Sequence, residues 1–85
     1  MRKIKFEQKA FADYNEWAEI NIKIFRKIAK LIVEIQKEPF TGLGKPEPLK
    51  HTFLGYWSRH ITQEHRLVYK VNDDEIIIVS CKYHY

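Results

Sequence analysis

A single cysteine, Cys81, stands in this 85-residue chain. It has no partner for an internal disulfide and cannot build a cysteine metal cluster, which points to a reducing compartment. Long apolar runs are missing too. None approaches the roughly 20 residues a membrane-spanning helix requires, and Phe6-Glu7-Gln8-Lys9 interrupts any apolar signal segment behind the basic start. A soluble, cytoplasmic protein is expected. No histidine pair has the helical spacing of a His-Glu-x-x-His site, so neither a metal nor another cofactor is expected. Repeats, linkers and low-complexity tracts are absent, and the length allows one domain, residues 1–85, with one modest core.

What is present is apolar and basic. Hydrophobic residues make up 45% and aromatics 14%, enough for a folded core. The formal charge of +4 favours polyanionic partners. Residues 1–44 carry nine Lys/Arg against six Asp/Glu and residues 45–85 six against five, so bulk basicity does not single out the second half. Histidine does, because all four lie at 51, 60, 65 and 84. A side chain that takes up and releases protons near neutral pH suggests chemistry there.

Ile4 and Phe6 alternate with Lys3 and Lys5, predicting a short strand over residues 1–6. Phe11, Tyr14 and Ala18 recur at helical spacing beside Trp17, and Asn21 breaks that helix and caps a second. In the second, Phe25, Ile28, Ile32 and Ile35 form an apolar stripe with Ile24 and Leu31, and Pro39 stops the helix near Glu38. These stripes are read as core, and Lys23, Arg26, Lys27 and Lys30 as a solvated face. Two glycines and two prolines between Phe40 and Pro48 mark the longest irregular segment. Residues 56–62 and 65–71 then read as a hairpin turning near Gln63, Asn72-Asp73-Asp74 as a turn, and Ile76–Cys81 as a central strand covered on both faces. The expected fold is α+β, with two N-terminal helices on one face of a mainly antiparallel four- to five-stranded sheet.

Cleaving RNA without a metal requires a base for the ribose 2′-hydroxyl, fixed cations for the phosphorane-like transition state and an acid for the departing 5′-oxygen. Glu47 as base, Lys50, Arg59 and Arg66 as cations and His84 as acid match these needs by residue type. Glu47 stands between Pro46 and Pro48, which restrict its backbone. A hairpin pairing around Gln63 is expected to bring the Arg59 and Arg66 guanidiniums near one another, where a phosphate would relieve their repulsion. Tyr56, Trp57, Tyr83 and Tyr85 are candidates to stack on bases. The bland alternatives are a stiff surface loop at Glu47, strand arginines paired with Glu64 or Asp73, and structural histidines at 51, 60 and 65.

Four stretches carry a resemblance: Gly44-Lys45-Pro46-Glu47-Pro48-Leu49-Lys50-His51, Gly55-Tyr56-Trp57-Ser58-Arg59, Glu64-His65-Arg66-Leu67-Val68-Tyr69 and Tyr83-His84-Tyr85. In this order they resemble the YoeB (Txe) branch of the RelE toxin superfamily along the whole chain. The resemblance implies a RelE-like fold akin to microbial ribonucleases. It also implies a ribosome-dependent mRNA endonuclease, or mRNA interferase, acting on mRNA in the ribosomal A site and neutralised by a YefM-like antitoxin, with a homodimer as a further candidate assembly. It places the general base on Glu47, phosphate-binding and transition-state cations on Lys50, Arg59 and Arg66, the general acid on His84 and a supporting aromatic on Tyr85, with His51 beside them. The chain departs from the pattern at His60, where a second arginine is frequent, and at Gln63 before Glu64. A non-catalytic inhibitor on the same fold, as in the ParE relatives, or a simple RNA-binding module are the alternatives. Neither needs a glutamate, an arginine and a terminal histidine at once.

Overall fold

In a computed structural model, which describes residues 1–83, the chain runs β1 (Lys3–Phe6), α1 (Gln8–Ile20), α2 (Ile22–Lys37), β2 (Glu47–Pro48), β3 (Tyr56–His60), β4 (Arg66–Val71) and β5 (Glu75–Ser80). The five strands form one sheet in the order β1-β5-β4-β3-β2. All pairings are antiparallel except that of β1 with β5.

Asn21 serves both helices. Its backbone N–H closes α1 on the Trp17 carbonyl, and its side-chain oxygen accepts from Ile24 N at 3.3 Å, satisfying one of the donors that the start of α2 leaves free. Glu38 ends α2, as the following proline dictates. The α2 stripe is buried at Ile28, Leu31, Ile32 and Ile35, and α1 buries Ala10 and Trp17, two turns apart on one face. Each fully buried aliphatic side chain contributes about 1.5–3 kcal/mol, so the stripe holds α2 to the sheet. Lys23, Arg26, Lys27 and Lys30 are exposed on its other side. A ladder of rings, Phe11 on Phe6 (5.8 Å), Phe6 on Tyr14 (5.4 Å) and Tyr14 on Phe25 (4.5 Å), joins both helices to the parallel edge strand.

Strand alternation divides the sheet. Leu67, Tyr69, Ile76 and Ile78 face the helices and are buried, with Ile4, Phe6, Trp57 and Val71 packed around them. Tyr56, Ser58, His60, Arg66, Val68 and Lys70 point the other way. β5 lies inside the sheet as expected, but the expected cover on both faces is incomplete, since Ile77 is half-buried. The segment read as irregular up to Pro48 is also more ordered than its composition suggests. His60 N donates to Gly44 O at 2.7 Å and Leu49 N to Tyr56 O at 2.9 Å, so the chain is zipped along β3 on both sides of the short β2. Prolines 46 and 48 lack a ladder donor, and an edge strand is where a sheet tolerates that.

Candidate active site

β2 is the edge strand that carries Glu47, and it places the carboxylate opposite Ser58. Directly opposed residues in an antiparallel pair share a face. Glu47 therefore belongs to the side of the sheet away from the helices. One step along the next pair, His60 lies opposite Arg66 on that same side. The electrostatics agree. Partial burial lowers the His60 pKa first, Arg66 and Lys45 lower it further, Glu47 opposes them, and Lys27 adds a smaller push downward. Glu47, Lys45, His60 and Arg66 thus surround one patch.

The two charged groups at its centre differ in how they are held. Glu47 is exposed, and among the described residues no hydrogen bond or salt bridge engages its carboxylate. Arg66 is anchored through Nη1 to the carbonyls of Thr62 (2.7 Å), Gln63 (3.0 Å) and His65 (3.1 Å). One edge of the guanidinium is spent on the hairpin turn. Among the described residues Nη2 and Nε make no hydrogen bond, which leaves the planar fork oriented and able to meet an anion.

On the other side of Glu47, a cleft of about 450 Å³ is lined by Glu47, Pro48, Leu49, Lys50, His51, Thr52 and Phe53. Lys50 and His51 are exposed there. A 3-10 turn at His51–Phe53 shapes the wall, and His51 opens it with a left-handed φ of 59°. The Phe53 ring meets Tyr56 edge to face at 6.2 Å. Glu47 is shared by cleft and patch, so a carboxylate, two ammoniums, a guanidinium and two imidazoles border one region.

Arg59 is not part of it. The expected meeting of the Arg59 and Arg66 guanidiniums is overturned by the register, because the pairing does centre on Gln63 but sets Arg59 opposite Leu67. Arg59 therefore faces the helices and is fully buried. Its Nε donates to Tyr69 Oη (3.1 Å), Nη1 to Leu43 O (2.9 Å) and Nη2 to Glu38 O (2.7 Å) and Thr41 O (3.0 Å). Tyr69 Oη in turn donates to Pro39 O at 2.7 Å. The side chain expected to bind substrate phosphate instead holds the 38–43 segment from beneath.

Sequence reasoning passed over two residues on the side of the sheet away from the helices. His60 and Ser58 alternate with Arg59 and Trp57, and that alternation already assigned them to the face opposite the apolar one. Ser58 is fully buried between Glu47 and Val68, and its Oγ finds no hydrogen-bond partner among the described residues. His84 and Tyr85, the expected acid and its supporting aromatic, lie outside the described residues. Among the described residues no three His, Cys, Asp or Glu side chains gather as a metal-holding group.

Two helices on one face of a mainly antiparallel five-stranded sheet is the architecture of the RelE-like toxins. Solved YafQ from E. coli shares it with a TM-score of 0.75 at 17% identity, a likeness of fold alone. Much nearer is YoeB from Staphylococcus aureus, solved as a dimer, with a TM-score of 0.92, 46% identity and coverage of 99% of this chain and 98% of that one. The S. aureus YoeB-YefM complex gives 0.90 at 46% identity over 100% and 99%. Toxin YoeB of Escherichia coli (strain K12) is 49% identical over 98% of this chain and 99% of its own, and the Mycobacterium bovis Toxin YoeB is 48% identical over the whole of both. The family model for the YoeB-like toxin of bacterial type II toxin-antitoxin systems matches residues 6–85. The chain belongs to that family.

Proposed function

We propose that this toxin is a ribosome-dependent mRNA endonuclease that cleaves by metal-independent acid-base catalysis and so inhibits translation in the cytoplasm. The observation that carries the reading is a Glu47 carboxylate with no hydrogen-bond or ion-pair partner among the described residues on the same side of the sheet, away from the helices, as an Arg66 guanidinium already oriented by the hairpin turn. Glu47 takes the proton of the ribose 2′-hydroxyl, and that oxygen attacks the adjacent phosphorus. Arg66 and Lys50 carry the charge that builds on the phosphorane oxygens. His84 gives its proton to the 5′-oxygen as the P–O bond breaks. The products are a 2′,3′-cyclic phosphate and a 5′-hydroxyl. His51 borders the substrate side of this set and Tyr85 takes the role of supporting aromatic, while Arg59 supports the segment that leads to Glu47.

A neutralising, acidic partner for so exposed a charge set follows from the same chemistry. A YefM-like antitoxin is the candidate, as in the solved YoeB-YefM pair of S. aureus, and a second copy of the chain is another, as in the solved dimer.

The test is cleavage of a defined mRNA on programmed ribosomes, with Glu47→Gln alongside the parent. Loss of the general base should slow turnover roughly 10²–10⁴-fold, and end-mapping should find a cyclic phosphate on the upstream fragment. A 3′-hydroxyl there, or full activity of Glu47→Gln, would overturn the mechanism. Ribosomes arrested without any cut would favour the non-catalytic inhibitor.

A further inference from the structure

The last described residue of the chain is held at both of its backbone groups. Tyr83 N donates to His65 Nδ1 at 2.7 Å, and Tyr83 O accepts from Arg66 N at 3.1 Å. Its φ of 62° lies in the left-handed region that residues with a side chain rarely adopt, so the chain turns there under constraint. The two residues before it are fastened as well. Trp17 Nε1 donates to Cys81 O at 2.9 Å, and Lys82 Nζ bonds the Glu16 carboxylate.

His65 is the centre of this clamp. It is buried, at 7% exposure, with its ring edge-on to Trp17 at 4.8 Å and 77°. Thr62 Oγ1 accepts its backbone N–H at 3.0 Å. Because Nδ1 accepts a proton donor, the imidazole is the neutral tautomer with its hydrogen on Nε2, which lies 3.6 Å from Glu64 Oε1. The same sequence step that supplies this acceptor supplies Arg66, so one pair of neighbours holds the chain end and presents a cation.

We propose that His65 is a positioning residue for catalysis: by accepting the Tyr83 amide it fixes the point and direction from which His84 and Tyr85 continue. The proposal rests on the reading of His84 as the acid. A group that follows a held backbone has fewer positions to sample than one that follows a free one, and less entropy is then lost in bringing it to the reacting atoms.

Three variants separate positioning from mere filling. His65→Asn keeps an acceptor where Nδ1 was, His65→Gln moves it outward by one methylene, and His65→Leu removes it while keeping the volume. Amide hydrogen exchange of Tyr83, read by NMR, reports the clamp without any cleavage. Steady-state kinetics on programmed ribosomes reports its use. Expected are a protected Tyr83 amide and turnover within about threefold of the parent for His65→Asn, against an unprotected amide and a kcat lower by roughly 10²-fold at little-changed KM for His65→Leu, with His65→Gln resembling the latter. A Tyr83 amide equally protected in all four proteins overturns the proposal. So does an unprotected amide with undiminished kcat, or a fall in His65→Asn as deep as in His65→Gln. Should His65→Leu fail to fold, the Asn and Gln pair decides alone. If the parent itself does not cut mRNA, the endonuclease reading fails, and the exchange data still show whether His65 holds the chain end.

Discussion

Replacing Arg59 distinguishes a substrate cation from a structural one, because only the structural role predicts a large loss of stability. Arg59 is fully buried and donates four hydrogen bonds, to Tyr69 Oη and to the carbonyls of Leu43, Glu38 and Thr41. Bonds from a charged donor contribute about 1.5–3 kcal/mol each, which taken alone would give Arg59→Leu a loss of roughly 6–12 kcal/mol. Two effects reduce this. Glu38, Thr41 and Leu43 are exposed residues whose carbonyls can turn to water, and deleting a buried charge also removes a desolvation cost of several kcal/mol. A net loss of about 2–4 kcal/mol is expected, from a total that for 85 residues is about 4–13 kcal/mol. With a slope near 1 kcal/mol/M for so small a domain, the urea midpoint should fall by about 2–4 M at unchanged slope. Arg59→Lys should fare little better, since an ammonium bears the same desolvation cost and lacks the planar fork that reaches four acceptors. Activity falls in either case, because the loosened segment leads into Glu47, so the midpoint is the deciding reading. An Arg59→Leu protein that unfolds within about 0.5 M of the parent yet cannot cut mRNA would refute the structural role and restore Arg59 to the substrate.

Gly44→Ala should destabilise by roughly 1–3 kcal/mol in thermal melts, because φ is +88° and a Cβ would meet Leu31 Cδ2 at 3.0 Å and His60 O at 3.3 Å; an unshifted Tm would show that the loop relaxes. The folded pKa of His60 lies below its ordinary 6.5, so its contribution to stability is fully present above pH 6.5 and is lost as pH falls below that value, where the unfolded chain takes up a proton that the native site resists. His60→Gln should flatten that part of the stability-pH curve, and an unchanged curve would remove His60 from the cationic patch. Burial pushes the Cys81 thiol up to about 12, with Asp13 adding to the rise and Lys9 and Lys82 opposing it. Cys81 should resist a thiol reagent at pH 8 until the protein unfolds, and rapid labelling of the native protein would contradict this burial.

Period and punctuation carried most of the fold. The apolar stripe of α2, the double duty of Asn21 and the stop before Pro39 are local signals, and each lies where its physics puts it. β2 was not legible, because two prolines and two glycines are the composition of a loop. Only the partner strand, which accepts and donates around Pro46 and Pro48, makes an edge of it. The placement of Glu47 against Ser58 is likewise a tertiary fact that no local pattern contains. The clamp on Tyr83 joins residues 17, 65 and 81 to 83, and depends on packing between an N-terminal helix and the end of the last strand.

The exchange of roles between Arg59 and His60 follows from parity. Where a hairpin pairs around residue 63, the positions facing one another sum to a constant, so 66 faces 60 and 67 faces 59. Arg59 alternates with Trp57 and Ile61, which are apolar, and belongs with them on the helix side. The side chain that shares a face with Arg66 is therefore the one at 60, where this chain has an imidazole. An imidazole there, rather than a guanidinium, changes the electrostatics of the patch. A guanidinium at 60 would stand against Arg66 and Lys45 at every pH, whereas His60 is neutral above its lowered pKa and relieves that repulsion. If the ligand is RNA, its phosphate should reverse the balance, since an anion beside His60 favours the protonated form, and binding should then be accompanied by proton uptake.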